Sequence, residues 1–110
     1  MSAESTLVFY GIRFEIPDEE LESLETNTHP SIKKARNAGL QFYAGNFAEP
    51  GERYFLFVGA KLGILGAEHA SEVVLGDDEL AALVDRTNSR LKSAALKGTP
   101  RLYLQWMPDV

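Results

Sequence analysis

The residues of this sequence best suited to acid–base or metal chemistry are its two histidines, His29 and His69. His69 precedes Glu72 by three residues. On a helix this spacing would put both side chains on one face, where they could ligate a metal. Two ligands do not complete a site, and His29 lies far away in the sequence. We therefore predict a solvated acidic loop around His69, with no metal site and no cofactor site.

A hydrolase would need a nucleophile, a base and a group that orients the base. Ser31 and Ser71 lie near the two histidines, but neither stands in the G-x-S-x-G pattern of a nucleophile elbow. The chain has no cysteine, which excludes a thiolate nucleophile, a disulfide and cysteine-bound zinc. We therefore expect a binding protein with no catalytic residues, and a small-molecule enzyme is one alternative.

The glycines of the stretch RYFLFVGAKLGILG could form a phosphate-binding loop. Gly59, Gly63 and Gly66 give the spacing G-x-x-x-G-x-x-G. A dinucleotide loop needs G-x-G-x-x-G, and a P-loop needs G-x-x-x-x-G-K-S/T, so neither pattern fits. Because glycine marks bulges and close backbone approach, we predict a twisted or bulged strand end here.

Hydrophobic periodicity and helix start and stop signals predict the strands and helices on which these residues lie. Four segments have strand patterns: Leu7–Ile16, Leu40–Phe47, Arg53 to about Ala60, and Arg101–Met107. Helical patterns begin at Pro17, cover Ser31–Ala38 after an interruption at His29-Pro30, and cover Asp77–Leu96. The segment Glu72–Leu75 could add a short strand.

The order of these elements is the βαββαβ pattern of a ferredoxin-like sandwich. We therefore predict an α+β fold, with an antiparallel sheet of four or five strands and two main helices on one face. At 110 residues, the chain has the usual size of one domain, so we predict a single domain over 1–110.

Alternation along the predicted strands divides their side chains between the two faces of the sheet. The sets predicted to face the helices are Val8/Tyr10/Ile12/Phe14, Leu40/Phe42/Ala44, Tyr54/Leu56/Val58 and Leu102/Leu104/Trp106. The other face, which we call the open face, would then carry Phe9, Tyr43, Phe47, Phe55, Phe57 and Tyr103. A shift of one residue in register would exchange the two sets.

An aromatic surface of this kind usually marks a binding site or an interface. The open face could be covered by one of three things: a second copy of the chain, the chain's own residues 61–75 or C-terminal tail, or a ligand. Homodimers are the commonest oligomers. We predict a homodimer formed through this aromatic face, which would also bind a protein partner or a small apolar ligand. The predicted contact residues are Phe9, Tyr43, Phe55, Phe57 and Tyr103.

The third strand also partly resembles the corresponding motif of RNA-recognition domains. Arg53, Phe55, Phe57 and Val58 match that motif. Tyr54, Leu56 and Ala60 depart from it, and Phe9 stands where a stacking aromatic of the first strand would be expected. The resemblance implies a single-stranded nucleic-acid binder as a second alternative. The enzyme alternative given above takes the form of a small-molecule enzyme of the dimeric ferredoxin-like type, which rests on fold analogy.

The charge balance bears on partners and location. The net charge is −5, from 16 acidic and 11 basic residues. This balance counts against nucleic acid, since backbone affinity comes from Lys and Arg. The longest apolar run is well below the ~18 residues that a membrane helix needs. The polar N-terminus lacks a signal-peptide pattern. From these features we expect a cytoplasmic protein with no membrane contact.

Overall fold

The computed structural model describes residues 4–46 and 54–107 of the chain. Strands β1 (Ser5–Ile16), β2 (Gln41–Asn46), β3 (Tyr54–Gly66) and β4 (Arg101–Met107) form one sheet. Helices α1 (Leu21–Glu25) and α2 (Pro30–Asn37) lie between β1 and β2, and a 3₁₀ turn at Asp18–Glu20 precedes α1. Helix α3 (Asp77–Ser93) lies between β3 and β4. The predicted helices and four of the predicted strands are thus confirmed.

The fold class is α+β, with three helices and a four-stranded sheet in the described part of the chain. The strand order is β2-β3-β1-β4, and every neighbouring pair is antiparallel. The short strand considered at Glu72–Leu75 is wrong, because this segment is irregular. Instead of pairing along a sheet edge, it contributes Val73 and Leu75 to the lining of an apolar groove that Val8 and Leu62 also line.

Strand β3 runs six residues further than the predicted end at Ala60, to Gly66. Its pairing with β1 shifts where Val8 lies opposite Gly63 and Phe9 lies opposite Lys61. This shift leaves Leu62 as the extra residue of a β-bulge. The bulge confirms the interpretation of this glycine-rich stretch as a bulged strand rather than a phosphate-binding loop.

The main core lies between the sheet and the helices. Ile12, Leu56 and Val58 of the sheet pack with Ile32 and Ala35 of α2, as predicted from their positions. The remaining buried members of this core are Ile16, Leu24, Leu40 and Leu91. Among the strand residues that the structure describes, no charged side chain faces this side, so hydrophobic burial stabilises the sandwich here without a charge-burial penalty.

Polar contacts cap the start of α3 and tie this helix to the sheet. The Glu79 carboxylate accepts a hydrogen bond from the Gly76 N–H at 3.1 Å, which satisfies one of the free amides at the start of α3. The Tyr10 hydroxyl donates to the Asn88 side-chain oxygen at 2.8 Å, which links β1 to the middle of α3. Acidic residues in the first turn of α3 and basic residues in its last turn complement the helix dipole.

The helix side of β4 departs from the prediction. Register places Leu102, Leu104 and Trp106 on this side, yet their exposed fractions are 54%, 65% and 43%. Helix α3 packs over β1 and β3, and its buried residues, Thr87 and Leu91, lie in its second half. These three β4 residues were expected to pack beneath a helix, and the position of α3 leaves them uncovered.

Candidate functional site on the open face of the sheet

The open face carries a second hydrophobic cluster, built from strand residues. Its buried members are Leu7, Phe9 and Phe57, each 0% exposed. Half-buried side chains pack around them: Tyr43, Phe55, Ile64, Tyr103 and Met107. All five predicted contact residues belong to this cluster, so their assignment to one face is confirmed. Their role in binding is not tested by their position.

A pair of facing glycines explains why the two central rings are so deeply buried. Gly11 and Gly59 are direct partners in the β1–β3 register, and both are buried. Phe9 and Phe57 lie diagonally on opposite sides of this glycine pair. Their positions are four residues apart along the paired strands, a distance of ~13 Å in a flat sheet. Their ring centroids nevertheless lie 5.5 Å apart. The two rings therefore lean toward each other over the glycine pair, which carries no side chain of its own.

Cations lie above the rings that surround this centre. The Arg13 guanidinium carbon is 4.8 Å from the ring centroid of Phe55 and 4.8 Å from that of Tyr103. Its Nη1 donates a hydrogen bond to the Gln105 side-chain oxygen at 3.0 Å. The Lys61 ammonium lies 5.4 Å from the Tyr43 centroid. These cation–π contacts fix two positive charges on an aromatic surface.

The charge of the open face differs in sign from that of the whole chain. Of the described strand residues that alternation places on this face, the charged ones are Arg13, Glu15, Lys61 and Arg101. Three positive charges against one negative charge leave the face net positive, whereas the chain carries −5. The combination of ring faces with fixed cations suits an anionic group attached to an apolar body.

The five predicted residues do not offer equal surface to a ligand. Phe9 and Phe57 have no exposed area, so they support the face from within. Tyr43, Phe55 and Tyr103 are half-buried and form its accessible rim. Phe47, the sixth ring assigned to this face, lies outside the described residues. Arg13 and Lys61 were missed as site residues, although the alternation that selected the rings also places Arg13 among them.

The histidines that could have served an enzyme are not brought together as a catalytic site. His29 is buried at the start of α2, where its Nδ1 accepts the Ser31 N–H at 3.1 Å. Its Nε2 therefore carries the proton and donates to the Glu20 carboxylate at 2.6 Å. His69 lies exposed in the turn after β3. Both contacts of His29 are structural, because they cap α2 and join it to the 3₁₀ turn.

Two further features are absent from the described part of the chain. No three His, Asp or Glu side chains within 4–46 and 54–107 lie close enough together to hold a metal ion. In the same ranges, no helix is long and apolar enough to cross a membrane. Comparisons with models of protein families, with curated proteins and with solved structures found no match to this chain.

Proposed function

We propose that this protein is a non-enzymatic binding protein whose recognition surface is the open face of its sheet. The observation that carries the proposal is the Arg13 guanidinium held between the rings of Phe55 and Tyr103. An arginine can stack on aromatic faces and still present a planar fork of N–H donors, of which Nη1 here donates to the Gln105 side chain. The half-buried rim then offers an apolar contact surface beside the positively charged hydrogen-bond donor of Arg13.

We also propose that the architecture is a ferredoxin-like βαββαβ sandwich. The order β2-β3-β1-β4 supports this, since it reads β4-β1-β3-β2 from the other edge and every pair is antiparallel. One helical region lies between β1 and β2, and the other lies between β3 and β4. In such a sandwich the helices occupy one face, which leaves the other available for recognition.

The partner that suits this face has an apolar or aromatic body and a negative charge. The rings of Tyr43, Phe55 and Tyr103 would contact the body, and Arg13 and Lys61 would bind the anionic group. An acidic segment of a partner protein and a small aromatic acid share this chemistry. The sequence predicted a protein partner or a small apolar ligand, and the two cations add the requirement for negative charge.

Two alternatives were open from the sequence. Stacking of RNA bases would use Phe9, Phe55 and Phe57, but two of these rings have no exposed face. A small-molecule enzyme would need a histidine in a pocket, but His29 is engaged by Glu20 and Ser31. The rim residues are free of both objections, which is why we favour binding of an anionic, apolar partner.

A titration with the dye anilinonaphthalene sulfonate tests the proposal, because this dye joins aromatic rings to a sulfonate. We expect the folded protein to enhance its fluorescence with saturation. Arg13→Gln should raise the Kd at least ~10-fold, since a hydrogen bond to a charged group is worth ~1.5–3 kcal/mol. Near-ultraviolet circular dichroism should show that the variant keeps its packed aromatic residues.

The matched control is Arg86→Gln, which removes the same charge from an exposed position on α3. This variant should bind the dye as the wild type does. Equal affinities for the two variants would contradict the proposal. Salt-sensitive binding of a single-stranded oligouridylate that Phe55→Ala abolishes would replace it with the RNA alternative.

A further inference from the structure

The outer edge of β4 is a second surface with unusual exposure. β4 is an edge strand, and in the described part of the chain no strand pairs with its outer side. Leu102, Leu104 and Trp106 are exposed on its helix side, and so is Leu80 of α3, which lines an apolar groove with Leu102 and Leu104. An exposed edge with apolar side chains is a template for pairing with another strand.

The sequence of β4 lacks the residues that usually prevent such strand pairing. Between Arg101 and Met107 the strand reads Leu-Tyr-Leu-Gln-Trp, with no charged residue and no proline. Soluble proteins commonly place lysine, proline or a bulge on an edge to prevent association. In this chain two of the five prolines, Pro100 and Pro108, stand immediately before and after the strand in the sequence. Between its end residues the strand therefore carries no charge or proline that would block pairing. The Trp106 carbonyl accepts a hydrogen bond from the Gln105 side chain at 3.3 Å.

The strand is self-complementary about Leu104. In an antiparallel pair centred there, Leu104 faces its own copy and Leu102 faces the partner's Trp106. All the apolar residues on the helix side then form one continuous row, and the full seven residues overlap. Arg101 faces the partner's Met107, so no like charges lie directly opposite. Centring the pair on Tyr103 or Gln105 would leave one of these apolar residues without a partner.

We propose that two copies of this chain associate through β4 to form a symmetric dimer with a continuous eight-stranded sheet. Each copy has an apolar groove of about 250 Å³, lined by Val73 and Leu80 on one side and by Leu102 and Leu104 of β4. The partner's Trp106, placed opposite Leu102, extends this groove across the two-fold axis. The open face takes no part in the contact and stays available for its own ligand.

Cysteine cross-linking tests the register, because the wild-type chain has no cysteine. Leu104→Cys places two thiols opposite each other on the axis, within reach of a disulfide. Leu102→Cys is the matched control: the two thiols are separated by four residues of register, ~13 Å, which is beyond the reach of a disulfide. With diamide as the oxidant, we expect a covalent dimer from Leu104→Cys and at least ~10-fold less from Leu102→Cys. Equal yields would overturn the proposed register.

Sedimentation equilibrium tests the association itself. The wild type should sediment at twice its chain mass of 12.2 kDa. Leu104→Lys puts like charges face to face at the axis and should raise the dimer Kd at least ~10-fold. Ser89→Lys, on the exposed side of α3, should leave the Kd unchanged. A monomeric wild type, or a Leu104→Lys dimer as tight as the wild type, would overturn the proposal. Leu104 is mostly exposed, so the lysine can be accommodated in a folded monomer, which far-ultraviolet circular dichroism checks.

Discussion

At the scale of single residues, the open face depends on two positions that have no side chain. Gly11 and Gly59 face each other with φ values of +156° and +154°. A Cβ added to Gly11 would overlap the carbonyl oxygen of Val58, and one added to Gly59 would overlap that of Tyr10. The backbones of β1 and β3 therefore approach closely here, and Phe9 and Phe57 close over them. The glycines set the shape of the aromatic cluster.

Replacing Gly11 with alanine should therefore be severely destabilising. The new methyl group must displace the backbone of β3, because no flexible side chain can move out of its way. We expect a loss of ~3 kcal/mol in the free energy of unfolding, from overpacking and backbone strain together. Urea denaturation followed by circular dichroism measures this loss.

Gly76→Ser is the control for this prediction, since it adds a larger side chain at a glycine with φ of −72°. The position begins α3, where serine is favoured, so stability should change by less than ~0.5 kcal/mol. A Gly11→Ala variant as stable as this control would show that the two backbones have room for side chains. The account of the buried rings would then be wrong.

At the scale of elements, His29 joins the helical regions that follow β1. Its ring accepts the Ser31 N–H at the start of α2 and donates to Glu20 of the 3₁₀ turn. The Ser23 carbonyl accepts the backbone N–H of His29 at 3.1 Å, which closes the turn between α1 and α2. A single side chain thus fixes how α2 enters the core with Ile32 and Ala35.

His29→Ala should lower the free energy of unfolding by ~1–3 kcal/mol, because it removes a helix cap and leaves the Ser31 N–H and the Glu20 carboxylate without this partner. His29→Asn should recover part of this loss, since asparagine is a good capping residue. His69→Ala, at an exposed turn position, should change stability by less than ~0.5 kcal/mol. Equal effects of His29→Ala and His69→Ala in urea denaturation would contradict a structural role for His29.

Local periodicity was sufficient to predict most elements and both faces of the sheet. The alternation of Val8 to Ile16 and of Tyr54 to Val58 separates the two sets of side chains because a strand has a period of two. The exposure of Leu102 and Leu104 could not be predicted in this way. Their alternation fixes the face on which they lie, but the coverage of that face depends on where α3 crosses the sheet, which is a tertiary property.

The candidate site was predicted only in part, for a similar reason. Phe9 and Phe57 were correctly grouped with the other rings, but their burial depends on the pairing of Gly11 with Gly59, residues far apart in the sequence. The Arg13 guanidinium reaches both Phe55 and Tyr103 only because β1 lies between β3 and β4. Strand order brings these groups together, and no local pattern encodes it.

At the scale of the whole molecule, the two proposed surfaces lie on opposite sides of one sheet. The open face presents rings and cations, whereas the helix side of β4 presents leucines and a tryptophan. Because side chains alternate along β4, Tyr103 belongs to the first surface and Leu102 and Leu104 belong to the second. A sheet extended through β4 would place two open faces side by side, so that a dimer could bind two anionic groups at once.

An NMR titration of the wild-type protein with anilinonaphthalene sulfonate, observed on side-chain signals, shows directly which face of the sheet binds this ligand. Binding at the open face predicts that the ring signals of Tyr43, Phe55 and Tyr103 and the guanidinium signal of Arg13 shift together and saturate. The methyl signals of Leu102 and Leu104 should stay in place. If those methyl signals shift while the four open-face residues do not respond, the open face is not the recognition surface and the proposed function is wrong.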